Sequence, residues 1–238
     1  RFSLCSWFLK LVPTKSGERV HRGNKCPFDP GTVGAPDVRI PASEFLMGSA
    51  EGEMDEGPQR TVALATYHID RYEVTNAAYV ICVDLGVCRR SRFQDDPVLG
   101  NPRHPVVGVS WYDAERFCSW VGRRLPTEAE WEAVAQNGKT RFAWGNSFPP
   151  PNAIGNFSDK EINDSSKEAS KPYLDGYKVS APIKSFSPNN NQIFDLYGNV
   201  SEWVHDFYAG KFGKNYTYSN LGPIRGENHV IKGGSWMN

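Results

Sequence analysis

Apolar and polar positions change their period along this chain, and the changes mark out its elements. Val38–Ile40 and Phe45–Met47 are brief apolar runs, followed by a Gly48-Ser49 turn. Glu51 to Gln59 is acidic and ends in Gly-Pro-Gln, which predicts a loop. Thr61–Ile69 mixes β-branched and aromatic residues and predicts a strand. The period then turns helical. Thr75 is placed to cap a helix in which Tyr79, Cys82 and Val83 share one side, and Gly86 stops it. Ser110 and Asp113 form a variant capping box. After it Trp111, Ala114, Phe117, Cys118 and Val121 make one apolar stripe that ends at Gly122. Thr127-Glu128-Ala129-Glu130 is a full capping box, with Trp131, Val134 and Ala135 as the buried face and Gly138 as the stop.

Helical period is lost after Phe142. Trp144-Gly145-Asn146 and Pro149-Pro150-Pro151 predict turns, and the charged, Ser-rich Glu161–Lys171 predicts a surface insertion. Short β-like pieces recur at Val179–Ile183, Gln192–Leu196 and Val200–Val204. Residues 1–36 are rich in Lys, Gly and Pro without periodicity and read as a tail or linker before a domain at 37–238. The brief apolar start, Arg1 to Val12, is interrupted by Lys10; it is compatible with the remnant of a signal segment but too short to assign as one. A strand, then helices, then loops and short strands predict an α+β domain with more irregular than regular structure. The seven Trp and 39 Gly and Pro agree: large rings in the core, many loops around it.

Basic and acidic residues balance at 27 each, so no overall field draws the protein to nucleic acid or an anionic membrane. The Arg89, Arg90 and Arg92 cluster reads as a solvated loop. No apolar run approaches the ~18 residues of a membrane-spanning helix. Cys82 and Cys88 lack zinc-finger spacing. They read either as a disulfide across a helix end or as two reduced thiols. The cysteine count is odd, so at least one is free or has its partner outside this chain.

Familiar catalytic patterns are absent: there is no G-x-S-x-G, H-E-x-x-H or phosphate-binding loop. The five His are scattered without i, i+4 pairing. Asn-x-Ser/Thr sequons at Asn156, Asn163, Asn199 and Asn215 carry no weight in a chain this rich in Asn and Ser. The strongest metal candidate is Asp195 to Trp203. Asp195 and Glu202 offer carboxylates, and Gly198 lets the chain turn so that carbonyls face one ion, as calcium requires. Asn156-Phe157 with Asp175-Gly176-Tyr177 is a second such stretch. From chemistry alone, either stretch reads more readily as a solvated acidic turn than as a metal site.

Taken in order, short motifs resemble one family. They are Phe45-Leu46-Met47-Gly48-Ser49, Tyr72-Glu73-Val74-Thr75-Asn76, His104 to Trp111, and Arg123-Arg124-Leu125-Pro126-Thr127-Glu128-Ala129-Glu130-Trp131-Glu132. Then come Trp144-Gly145, Asp175-Gly176-Tyr177, Leu196 to Trp203, and Gly233-Gly234-Ser235-Trp236. From Val38 to Asn238 the chain resembles the formylglycine-generating enzyme, or sulfatase-modifying factor, family.

The resemblance implies a C-type-lectin-like fold and two structural calcium sites. One uses Asn156, the Phe157 carbonyl, Asp175 and the Tyr177 carbonyl. The other uses Asp195, the Gly198 and Val200 carbonyls, and Glu202. Enzymes of the family oxidise a peptidyl Cys to formylglycine with oxygen and copper(I) held by two Cys. The first of these follows the Gly-Gly-Ser-aromatic-Met run, where this chain has Asn238. An amide offers no thiolate, so copper is not expected here. Ser235 matches the family's active-site serine and reads either as a groove-lining residue or as a turn residue. The resemblance further implies that the domain is C-terminally incomplete, the second copper Cys and a final strand lying past Asn238. It also implies that Cys118 matches a position whose partner lies in that strand. The expectation is a calcium-stabilised paralogue without the copper site. It would act as a binding or structural module for a peptide or protein ligand, in an oxidising extracytoplasmic compartment. The alternative is an active formylglycine-generating oxidase. An iron-dependent sulfoxide synthase of the ergothioneine type would need an added helical domain with iron-binding His, and no such pattern is present.

Overall fold

The computed structural model describes residues 4–5, 8–9, 30–50, 55–135, 144–146, 150, 154–158, 173–208, 222–223 and 225–237. Gly138, the Glu161–Lys171 insertion, sequons Asn163 and Asn215, and Asn238 lie outside them. Most of the 1–36 tail does too. Its described backbone includes β1 (Leu4–Cys5) antiparallel to β2 (Phe8–Leu9) and a 3-10 turn at Pro30–Thr32.

The strand signals resolve into small antiparallel ladders. β3 (Asp37–Ile40) pairs with β6 (Tyr67–Asp70), and β4 (Ser43–Met47) pairs with β5 (Arg60–Leu64). The single strand expected over Thr61–Ile69 is thus two strands in different ladders. The break falls at Ala65-Thr66, where the Thr66 hydroxyl accepts the Ala42 N–H at 3.1 Å and ties the two connections together.

The helices form where their caps predict. In α1 (Asn76–Asp84) the Thr75 hydroxyl accepts the Ala78 N–H at 3.1 Å. In α2 (Trp111–Trp120) both arms of the Ser110–Asp113 box are made. In α3 (Glu128–Ala135) the Thr127 hydroxyl takes the Glu130 N–H, and the Glu130 carboxylate takes the Thr127 N–H. Each cap satisfies backbone donors that a helix start leaves open. Gly86 and Gly122 follow α1 and α2 with φ of 71° and 72°, a conformation that costs glycine little.

Two apolar clusters make the core. The first packs α3 onto the strands through Met47, Val62, Ile69, Trp131 and Val134. The second packs α1 on α2 through Tyr79, Cys82, Phe117 and Leu125. The stretch after Asp195 runs between them: Leu196 enters the first cluster and Val200 the second. Burying both ends of this stretch fixes the polar residues that lie between them.

Two of the expected β-like pieces, Val179–Ile183 and Gln192–Leu196, are irregular. Nearby Lys184, Gln192 and Asp195 have φ of 64°, 63° and 59°, so the chain turns where a strand would run on. The third piece is β7, shifted to Glu202–Phe207, and it pairs with β8 (His229–Lys232).

Cys82 and Cys88 form a disulfide across the end of α1, with Cα atoms 5.2 Å apart. Gly86 turns the chain back so that the Cys88 N–H reaches the Cys82 carbonyl at 3.1 Å. Closing so short a loop restricts the unfolded chain, so Cys88→Ser is expected to lower unfolding stability by about 2 kcal/mol in denaturant titrations. Identical curves for the variant and the parent would show that the bridge constrains nothing.

Candidate functional site

The 195–202 stretch is built around buried polar groups. Asp195, Asn199 and Glu202 are 3%, 0% and 2% exposed, which is exceptional for such residues. Asp195, Gly198 and Asn199 all have positive φ, 59°, 77° and 58°, so the chain coils instead of extending. Gly198 is required on a second ground: a Cβ there would lie 2.1 Å from the Asn156 carbonyl oxygen.

That contact joins the two stretches expected from the sequence. Asn156 and Gly198 form a parallel bridge, and the Asn199 N–H donates to the Asn156 carbonyl at 2.7 Å. Asp175 closes the other side, accepting the Phe157 N–H on Oδ2 and the Tyr177 N–H on Oδ1, both at 2.9 Å. Asn156, Phe157, Asp175 and Tyr177 therefore lie in one hydrogen-bonded cluster. In the second set, Asp195 Oδ2 accepts the Lys184 N–H at 2.6 Å and Glu202 Oε2 accepts the Trp131 indole N–H at 3.0 Å.

Each set leaves one buried oxygen without a hydrogen-bond partner, Asn156 Oδ1 in the first and Asp195 Oδ1 in the second. A buried acceptor left in this state costs about 1–3 kcal/mol. The charge balance points the same way. Burial raises the Glu202 pKa to about 8, with the nearby Asp195 charge adding to it against the Trp131 hydrogen bond. Burial likewise raises Asp195 to about 6. Glu73, fully buried behind Asn199, is pushed well up by burial and then by the charges of Asp195 and Glu202. Carboxylates buried this closely disfavour one another's ionisation, and at Asp195 the Lys184 charge and backbone N–H groups offset only part of the cost of burial. A hard cation taking carboxylate, amide and carbonyl oxygens would remove the penalty, and the donor sets fit calcium on that ground.

The set departs from a cluster of acidic or imidazole ligands. Among the described residues no group of three or more His, Cys, Asp and Glu is drawn together for a metal. Each expected calcium set instead pairs side-chain oxygens with backbone carbonyls.

The run Gly233 to Trp236 lies directly against this loop. The Gly198 N–H donates to the Gly233 carbonyl at 2.8 Å, the Ser201 hydroxyl to the Gly234 carbonyl at 3.1 Å, and the Trp236 N–H to the Asn199 carbonyl at 3.1 Å. Ser235 Oγ accepts the Met237 N–H at 3.2 Å, which is turn-forming work.

Copper(I) calls for thiolates. Among the described cysteine side chains none offers copper(I) a free, exposed thiolate. Cys82 and Cys88 are bridged, and Cys118 is a buried thiol whose hydrogen donates to the Ala114 carbonyl. Burial raises the Cys118 pKa well above the usual thiol value, keeping it protonated.

The remaining candidates have structural partners. The Arg89, Arg90 and Arg92 side chains face Asp113, Asp95 and the Phe93 ring. His104 bonds Ser180 at 2.9 Å, and His229 stacks on Trp111 at 3.8 Å. Sequons Asn156 and Asn199 are fully buried and so closed to modification in the folded chain. Sequence reasoning gives Glu73 and Asn199 no role of their own. Their 2.9 Å bond spans 126 positions, and nothing in local spacing signals it.

Asp206 is a separate buried carboxylate. Its Oδ2 accepts the Glu128 N–H at 2.7 Å, the first residue of α3. Burial raises its pKa to about 7, against that hydrogen bond. The folded state therefore holds a proton that the unfolded chain releases near pH 4. This group's stability is complete below pH 4 and is lost as pH rises through about 7. Asp206→Asn keeps an acceptor for Glu128 and removes the titration. In calcium-saturated buffer, the variant's urea-derived stability is expected to fall less between pH 4 and 7, by at most about 4 kcal/mol. Parallel profiles for the two proteins would contradict this.

Small ladders, capped helices and a polar loop between two cores define an α+β class also seen in solved structures. PvdO from Pseudomonas aeruginosa is similar with a TM-score of 0.67 and 25% identity, over 88% of this chain and 85% of that one. Treponema denticola variable protein 1 shares the fold at a TM-score of 0.61 and 22% identity, over 85% of this chain and 84% of that one. The chain belongs to the formylglycine-generating enzyme, or sulfatase-modifying factor, family: residues 29–238 match the sulfatase-modifying factor enzyme 1-like domain. The formylglycine-generating enzyme of Streptomyces coelicolor is 31% identical over 267 residues, 88% of this chain and 82% of that protein. The inactive Cα-formylglycine-generating enzyme 2 of Mus musculus is 29% identical over 252 residues, 84% of this chain and 74% of that protein. Among the described residues no helix is long and apolar enough to cross a membrane.

Proposed function

We propose that this chain is a calcium-stabilised paralogue of the formylglycine-generating enzymes without their thiolate copper site. It serves as a binding or structural module for a peptide or protein ligand. The observation that carries this reading is Asn238, directly after Gly233-Gly234-Ser235-Trp236-Met237, where the family resemblance places the first copper Cys. An amide cannot supply the soft, anionic sulfur that copper(I) takes. The murine relative named inactive supports the view that the family includes members without the activity.

Calcium is supported by the orphaned oxygens of Asn156 and Asp195, one in each ligand set. When bound, the ion would supply positive charge to buried carboxylates and tie together loops that have few ladder bonds. Asn156, Phe157, Asp175 and Tyr177 would hold one ion; Asp195, Gly198, Val200 and Glu202 would hold the other. An extracytoplasmic setting suits both the Cys82–Cys88 bridge and the calcium, since disulfides persist where the medium is oxidising.

The active-oxidase alternative is tested directly. The full-length gene product, with copper(I) and oxygen, is expected to leave a Cys-x-Pro-x-Arg peptide unchanged by mass spectrometry. Formylglycine in that peptide, above a copper-only control, would make the protein an oxidase and end this reading.

A further inference from the structure

Asn199 is where the two ligand sets meet. Its N–H donates to the Asn156 carbonyl at 2.7 Å. Its side-chain oxygen accepts the Asn156 amide at 3.3 Å and the Ala181 N–H at 2.7 Å. Its amide nitrogen donates to Glu73 at 2.9 Å and to the Ala181 carbonyl at 3.3 Å. Its own carbonyl accepts the Trp236 N–H at 3.1 Å. One fully buried side chain thus touches the turn before α1, the 180s loop and the first ligand set.

The backbone connection is more specific still. A peptide unit is planar, so its N–H and C=O point in opposite directions. The Asn156 carbonyl and the Phe157 N–H belong to one unit, and that N–H donates to Asp175 Oδ2. The Gly198 carbonyl and the Asn199 N–H belong to another, and that N–H donates to the Asn156 carbonyl. Two peptide planes in series therefore link a first-set ligand, Asp175, to a second-set ligand, the Gly198 carbonyl. Tilting either plane re-aims the carbonyl at its far end.

We infer that Asn199 is a positioning residue that couples the two calcium sites into one cooperative unit and fixes Gly233–Trp236 to it. This rests on the calcium reading proposed above. Filling the first site holds Asp175 and Asn156 still, which orients the Gly198 carbonyl for the second ion. The Asn199 side chain locks the intermediate plane by its bonds to Asn156, Ala181 and Glu73. The Trp236 N–H, bonded to the Asn199 carbonyl, then reports occupancy of sites to which Trp236 contributes no ligand.

Calcium titration calorimetry on the parent and on Asp195→Asn tests the coupling, since that substitution weakens the second set alone. The parent is expected to take up two ions. Asp195→Asn is expected to weaken calcium at the first site at least fivefold, the lower end of ordinary allosteric coupling. In Asn199→Gly, which keeps access to positive φ, adding Asp195→Asn is expected to leave the first site unchanged. Hydrogen exchange at the Trp236 amide should slow with calcium in the parent and stop responding in Asn199→Gly. Two ions bound independently, with first-site affinity unmoved by Asp195→Asn, would overturn the coupling and leave the calcium reading standing. Failure of the parent to bind calcium would overturn both. If Asn199→Gly does not fold, the parent and Asp195→Asn alone still distinguish coupled from independent sites.

Discussion

Chelating calcium from the purified protein should lower its melting temperature by about 10 °C or more. Two sites each held at about a hundred times their dissociation constant contribute on the order of 5 kcal/mol together, and a chain of this size loses roughly 2–4 °C per kcal/mol. The expectation follows from the buried oxygens. Asn156 Oδ1 and Asp195 Oδ1 have no hydrogen-bond partner, and Asp195, Glu202 and Glu73 raise or feel one another's charge. Differential scanning fluorimetry with and without a calcium-selective chelator reads the effect. Magnesium is a useful contrast, because it demands a tighter octahedron than irregular loop carbonyls provide. Equal melting temperatures with and without the chelator would remove calcium from this protein's stability.

Asp70→Asn is expected to destabilise the protein by about 3–5 kcal/mol, as removal of one partner from a buried ion pair does. Asp70 is fully buried at the end of β6, and the Arg123 guanidinium bonds it from the Arg123-Arg124-Leu125-Pro126 run. Arg123 also donates to the Ala35 carbonyl at 3.1 Å, and its guanidinium lies against Gly34, where a Cβ would meet it at 2.8 Å. The pair therefore clamps the residues before β3 onto the loop that leads into α3. With Asn at position 70 the buried guanidinium loses the Asp70 carboxylate it bonds. Arg123→Met in the Asp70→Asn background should recover part of the loss, because it removes the buried charge whose Asp70 carboxylate is gone. Urea unfolding of the single and double variants measures both numbers. A loss below about 1 kcal/mol for Asp70→Asn would place the pair among weak surface bridges.

The helix starts were legible because a cap is a local device. Thr75, Ser110 and Thr127 each act within three or four residues, and the structure makes each bond. The apolar stripes that follow were legible for the same reason. The division of Thr61–Ile69 into two strands was not legible, since β-branched residues suit a pleated surface but do not say which partner they pair with. The candidate loops were visible as carboxylates around glycine turns. Their burial was not, because it depends on Leu196 and Val200 entering different clusters.

By itself the sequence determined the helix starts, the family motifs, the carboxylates at Asp195 and Glu202, and the amide at Asn238. Each depends on side-chain chemistry or on spacing of a few residues. Only the tertiary structure decided that Cys82 and Cys88 are bridged, and that Asn156 meets Gly198. It also decided that Glu73 holds Asn199 across 126 positions. Those contacts arise from long loop closures, and their geometry is set by the packing of both cores around one polar loop.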